Sequence, residues 1–266
     1  MATLASDPRQ HRPVTADHRF FLGAAIAMAL VIVAGFSVQL AMGRSSFAAP
    51  VLVHVHAVVF FGWVTLYVVQ NALVATGNNR LHRRLGWIGA GWAAAMVVVG
   101  TAATALMVRA GRAPFFFEPA FFLFMNTLSI IAFAALTGWA IRLRKRTDWH
   151  RRLMLCGTAI ITGPAWGRLM PMPLLIPNAA WYVFVGVIAF PIAGMIADKR
   201  RRGSVHPAWW WGTAVIVLMQ LSMGIVAHSP VGLAIYDRVV AGGPGSGVDP
   251  YAYPPPPEPP PGAAGA

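Results

Sequence analysis

Seven long apolar stretches dominate this chain and leave little choice of architecture. A helix that crosses a bilayer needs about 20 mostly apolar residues. Residues 20–42, 51–75, 86–108, 115–141, 153–172, 179–197 and 208–228 meet that requirement. In hydrocarbon, backbone N–H and C=O groups have no water to bond and must be satisfied within the segment, so such stretches become helices. The chain is 57% hydrophobic and only 11% charged, well below the roughly 25% charge of a soluble domain. The expected fold is all-α, a polytopic transmembrane helical bundle of seven spans. The fifth stretch is the weakest. Pro164, Arg168 and Pro171 interrupt it, which predicts a kink or an early end.

The basic residues fall in alternate loops. Arg9, Arg12 and Arg19 precede the first span, and Arg80, Arg83 and Arg84 join the second to the third. Arg142, Arg144, Lys145, Arg146, Arg151 and Arg152 join the fourth to the fifth, and Lys199 to Arg202 the sixth to the seventh. The other side holds Arg44, Arg109, Arg112, Arg168 and Arg238. The positive-inside rule then puts the N-terminus inside and, with seven spans, the C-terminus outside. Trp87, Trp149, Trp209, Trp210 and Trp211 fall at span ends, as an aromatic belt requires. The expected organisation is a cytoplasmic tail (1–19), the seven-helix domain (20–228), a juxtamembrane segment (229–240) and a disordered Gly/Pro-rich tail (241–266). The first apolar run is as long as a span and lacks a short signal-peptide core, so no cleavable signal is expected.

Several function classes drop out. The net charge of +13 comes from arginines flanking apolar runs, so nucleic acid is not the partner. Those arginines instead suit the anionic head groups of the lipid bilayer. Cys156 is the one cysteine, which excludes an intrachain disulfide and a zinc pattern. A retinal Schiff base needs a lysine inside a helix, whereas Lys145 and Lys199 read as loop residues. No GxSxG or HExxH occurs, and Asp7, Asp17, Asp148, Asp198, Asp237 and Asp249 read as tail or loop residues, which argues against hydrolases.

Polar groups are costly in lipid and tend to face the bundle interior or a site. His56, Phe60, Trp63, Tyr67 and Gln70 recur at steps of four and three, one face of the second span. Gln220, Gly224 and His228 line the seventh at steps of four. Glu118 and Arg168 lie towards the outer end of their spans and form the natural ion pair. Asn126 joins His56, Gln70 and Gln220 as candidate lining of a polar cavity. A small-residue stripe in the third span (Gly86, Gly89, Ala93, Gly100 and Thr104) suits close helix packing. The sixth span has no ionisable residue between Trp181 and Ala197 and is expected at the periphery, around a core of the second, third, fourth, fifth and seventh.

A short repeat adds a second candidate site. Residues 81–85 read LHRRL and 149–153 read WHRRL, each immediately before a span on the cytoplasmic side. His82 and His150 thus occupy equivalent places in two hairpins and could ligate a cofactor at the inner side. Their arginines could hold propionates or phosphates.

The string from His54 to Trp87, with WHRRLM further on, resembles a group of bacterial inner-membrane proteins. These share a span with His, Trp and Gln, followed by HRRLG. The resemblance covers roughly residues 50–170. It implies a bacterial inner-membrane location and draws attention to His56, Gln70, His82 and His150, but carries no mechanism. Histidines on successive helices are also similar, in a general way, to the cytochrome b561 type of haem bundle. Three readings stay open. One is a haem- or quinone-linked redox protein, using His56 with His228 outside or His82 with His150 inside, beside Tyr67 and Gln70. Another is a small transporter, channel or sensor. The third is a non-catalytic accessory protein with a protein partner.

Overall fold

A computed structural model describes residues 16–43 and 48–256, and in them the chain is helical with no strand. The helices are α1 (Ala16–Ala41), α2 (Val51–Ala75), α3 (Asn79–Arg109), α4 (Pro119–Arg142), α5 (Thr147–Ile161), α6 (Gly163–Leu169), α7 (Ala179–Arg202), α8 (Pro207–Ala227) and α9 (Pro230–Val240). Six of them, α1 to α4, α7 and α8, are long and apolar enough to cross a membrane. Local chemistry sets several boundaries. Asn78 accepts from the Leu81 N–H at the start of α3, and Ser229 from Gly232 at the start of α9. Pro119, Pro207 and Pro230 stand in the first turns of α4, α8 and α9, where no partner for the missing N–H is needed. Gly203 ends α7 in the left-handed region at φ 72°.

The interrupted fifth stretch is not one helix. α5 stops at Ile161, Thr162 bends the chain, and α6 restarts at Gly163–Pro164 and ends at Leu169. The two pieces still run the length of the bundle. Arg151 at the start of α5 bonds Asp17 at the start of α1, while Ala165 in α6 lies against Gly35 near the far end of α1. This broken helix is also the most enclosed element. Every residue from Leu155 to Gly163 is buried, and α4, α8, α7 and α1 pack around it. Its low hydropathy comes from the polar first turns, Thr147 to Arg152, and not from the enclosed stretch, which is mostly apolar.

The order of burial differs from the expected core. α1, left outside that core, buries Phe21, Ala25, Met28, Ile32 and Gly35. α2, placed inside it, buries only Trp63, Val64, Tyr67 and Ala75. α7 turns one face, from Ala180 through Val187 and Gly194 to Asp198, towards α5, α6 and α8. Its other face, with Trp181, Val185, Ile192 and Ile196, is exposed. Close approach explains the small residues. A Cβ on Gly35 would lie 2.7 Å from the Ala165 carbonyl oxygen, so α1 and α6 meet backbone to backbone. The stripe on α3 packs as expected, with Gly89 against Leu66 and Gly100 against Phe60 of α2.

The C-terminal expectation needs correcting. Residues 230–240 are the helix α9, capped by Ser229, and 241–256 follow a defined path across the ends of α3, α4 and α8. Gly243 and Gly245 sit against the Val108 and Arg109 carbonyls, and the Ala120 N–H donates to Pro250 O at 3.0 Å. A segment this rich in Gly and Pro cannot bury a core of its own, but its missing side chains let its backbone lie directly on helix ends. The proline run beyond Pro256, and the tail before Ala16, lie outside the described residues.

Candidate functional site

The two HRRL loops bring their histidines together. His82 in the first turn of α3 and His150 in the first turn of α5 have ring centres 6.4 Å apart, at 78° to each other. The His150 Nδ1 lies 2.8 Å from Ala140 O. A carbonyl can only accept, so Nδ1 carries the proton and Nε2 the lone pair. Gln70 reaches His82 from α2. With its amide turned to satisfy both neighbours, it donates to His82 Nδ1 at 2.7 Å and accepts from the Gly86 N–H at 2.9 Å. Three predicted residues, Gln70, His82 and His150, therefore form one constellation from three helices. Tyr67 does not join it. Its ring is buried in the central cluster with Leu136, Leu153 and Cys156. Around the pair, Arg144 stacks on Trp87 and Arg146 on Trp149, with guanidinium-to-ring distances of 5.4 and 5.2 Å.

Beside this pair lies a buried charge cluster that the sequence did not suggest. Arg152, fully buried, donates from Nε and Nη2 to the two oxygens of Asp198, both at 2.9 Å. Trp209 Nε1 donates to the same carboxylate at 2.9 Å, and Arg152 Nη1 to Asp148 O at 2.7 Å. Asp198 is thus no loop residue. It sits in the last turns of α7 and ties together α5, α7 and α8. Asp17, Asp148 and Asp237 also lie in helices, α1, α5 and α9 respectively. Asp17 accepts from Arg151 at 2.7 Å and pairs with Arg201 and Arg202. Lys199 falls in the last turn of α7, where it donates to Gly203 O. The one available signal was register, since Asp198 is four residues after Gly194, on the face that packs against Trp209.

The opposite end of the bundle divides into two separate places. Glu118 pairs with His228, Oε2 to Nε2 at 2.9 Å, so the expected Glu118–Arg168 ion pair is not formed. His228 also faces Gly224 O through Nδ1 at 2.9 Å and stacks on Tyr251 with ring centres 5.1 Å apart. Both nitrogens face acceptors, an arrangement that an imidazolium satisfies. Tyr253 is close by: burial first, then the Glu118 charge, holds its phenol above the ordinary range. Arg168 instead donates to Pro164 O at 2.8 Å and lies 4.2 Å over the Phe36 ring. His56 stacks on Phe60 with ring centres 4.1 Å apart. His56 and His228 thus belong to different surroundings, and the structure does not bring them together as a ligand pair. Asn126, expected to line a cavity, spends its amide on Phe122 O at 2.8 Å.

Among the described residues no group of three or more His, Cys, Asp or Glu could hold a metal ion. Two histidines suffice where a macrocycle supplies the other ligands. No family model, no curated protein and no solved structure matches the chain.

Proposed function

We propose that this chain is a multi-pass protein of a bacterial cytoplasmic membrane, with seven spans, its N-terminus inside and its C-terminus outside. The broken α5–α6 is the fifth crossing in chain order and brings the six long helices to seven spans. Its 15 and 7 residues rise about 33 Å at 1.5 Å each, close to the hydrocarbon thickness of about 30 Å. The arginine asymmetry sets the orientation, with His82 and His150 at the cytoplasmic end. Exposed Trp87, Trp210 and Trp211 lie at that end as interfacial anchors, beside arginines suited to anionic head groups.

We further propose that His82 and His150 would hold a haem between them in a redox protein. The observation that carries this is their 6.4 Å separation. Two imidazoles sharing one metal, each with a metal–nitrogen bond of about 2.0 Å, would have ring centres no more than roughly 6 Å apart. Ligating histidines usually anchor their second nitrogen on a carbonyl, amide or carboxylate. Ala140 O does this for His150. Gln70 holds the Nδ1 of His82 as a donor, because the Gly86 N–H fixes the amide oxygen on its other side; ligation through Nε2 would require the imidazole proton to move to Nδ1 and the amide to turn. The bound group would carry one electron, while these residues hold and orient it.

An absorption spectrum with iron analysis on detergent-purified protein tests this. A Soret band is expected that His82→Ala or His150→Ala abolishes and His56→Ala retains. Colourless, iron-free protein overturns the reading.

A further inference from the structure

Charge does not balance where the cytoplasmic ends of α1, α5 and α7 meet. Among the described residues, four guanidiniums, those of Arg151, Arg152, Arg201 and Arg202, share the two carboxylates of Asp17 and Asp198. Arg151 and Arg201 lie 2.7 and 3.2 Å from Asp17, and Arg202 reaches both acids. Two positive charges are left over. The Asp148 carboxylate does not supply the difference, because His206 engages it at 2.8 Å. Arg200, next to this cluster on α7, is exposed and pairs with no carboxylate among the described residues.

The same place carries an open groove. α1 and α7 are tied together at this end, where Arg201 Nη1 donates to Ala16 O at 2.7 Å, yet they hardly touch along the rest of their length. Between them lies a cavity of about 510 Å³, lined by Phe20 of α1 and by Ala193, Ile196, Ala197, Arg200 and Arg201 of α7. Ala193, Ala197 and Arg201 recur at steps of four, as do Ile196 and Arg200, so the apolar residues lie deeper and the arginines stand at the mouth. The two alanines leave room that larger side chains would fill. Arg201 lies 5.0 Å over the Phe20 ring and donates from Nε to Ala197 O at 3.0 Å. Its Nη2 and the whole Arg200 guanidinium make no hydrogen bond to the described residues.

We infer that this groove holds one anionic phospholipid, with its phosphate on Arg200 and Arg201 and an acyl chain along Phe20, Ile196 and the two alanines. An apolar trough that ends in unmatched guanidiniums has the polarity of such a lipid, read from tail to head. A zwitterionic lipid would bring no net charge to a cluster that is two positive charges in excess, whereas an anionic one offsets them. Guanidinium forks match phosphate oxygens, and basic pockets at the cytoplasmic side of helices bind anionic head groups. The volume lies within the range of about 300–1,000 Å³ of ligand sites. The inference rests on the membrane orientation proposed above and is independent of the haem reading.

Native mass spectrometry of the full chain in a non-ionic detergent tests the inference. The probes are phosphatidylglycerol and, as a zwitterionic control with the same acyl chains, phosphatidylcholine. One saturable equivalent of phosphatidylglycerol is expected, bound several-fold more tightly than phosphatidylcholine. Arg200→Gln removes a side chain without a protein partner, so it should weaken binding by about fivefold at an unchanged unfolding temperature. Ala193→Phe keeps every charge and fills the groove, and it should weaken binding as well. Arg80→Gln removes an equally exposed charge from the same face outside the groove and should leave binding as it is. Equal binding of the two lipids, an equal loss with Arg80→Gln, or full binding by Ala193→Phe overturns the inference. Displacement of the lipid by inorganic phosphate at constant ionic strength also overturns it, by assigning the arginines to a soluble anion. A chain that stays soluble without detergent would instead sink the membrane reading, which separates the two failures.

Discussion

Asp198 neutralises the only fully buried arginine among the described residues, and its removal should be among the most damaging single changes. Leaving a buried ion without its partner costs about 3–5 kcal/mol. Asp198→Ala is therefore expected to lower the unfolding temperature sharply in detergent. Replacing both partners, with Arg152→Met and Asp198→Leu, should be milder than either single change, because no charge is then left uncompensated. A double variant no more stable than the singles would show that the pair matters for something besides charge compensation. Gln70 makes a different kind of prediction. Gln70→Leu removes the bond that orients His82, and second-layer partners of ligating histidines typically govern 10–100-fold in affinity. Haem retention should fall by about that factor while unfolding temperature changes little; unchanged retention would mean that Gln70 does not serve the ligand.

The contact between α1 and α6 depends on the absence of a side chain at Gly35. Gly35→Leu would press carbon into the Ala165 backbone, and overpacking of this kind costs typically 1–3 kcal/mol. A loss of thermal stability measured beside a surface control such as Gly23→Leu checks this, since a Cβ on Gly23 meets nothing within 4 Å. The helices themselves were legible in the sequence. Hydropathy located all six long ones, and Pro164 marked the break between α5 and α6. Which helix lies in the middle was not legible. Apolar residues satisfy lipid and protein neighbours equally, so composition cannot tell an enclosed helix from a lipid-facing one. α5 owes its low mean hydropathy to its charged first turns rather than to its enclosed part, and α1, the most apolar of the long helices, still buries a full face.

The described C-terminal segment closes one end of the bundle. Truncation after Val240 would uncover Val108, Arg109 and Ala120, and His228 would lose its Tyr251 stack. Faster limited proteolysis at the α3–α4 loop is the expected outcome; an unchanged digestion pattern would show that the segment only rests there. The topology has its own test. A periplasm-dependent reporter fused after Ala266 should be active and a cytosol-dependent one inactive, and the reverse result would invert both ends.

The sequence by itself determined that the chain is helical and membrane-like, and where most of its helices lie. Those properties are local, because a run of apolar residues in lipid can satisfy its backbone only as a helix. It also singled out His82, His150 and Gln70, whose motif spacing is short-range. Only the tertiary structure decided which polar groups meet. Glu118 with His228 rather than with Arg168, and Arg152 with Asp198, are choices among chemically equivalent partners. Distances across helices make those choices, and no spacing along the chain encodes them.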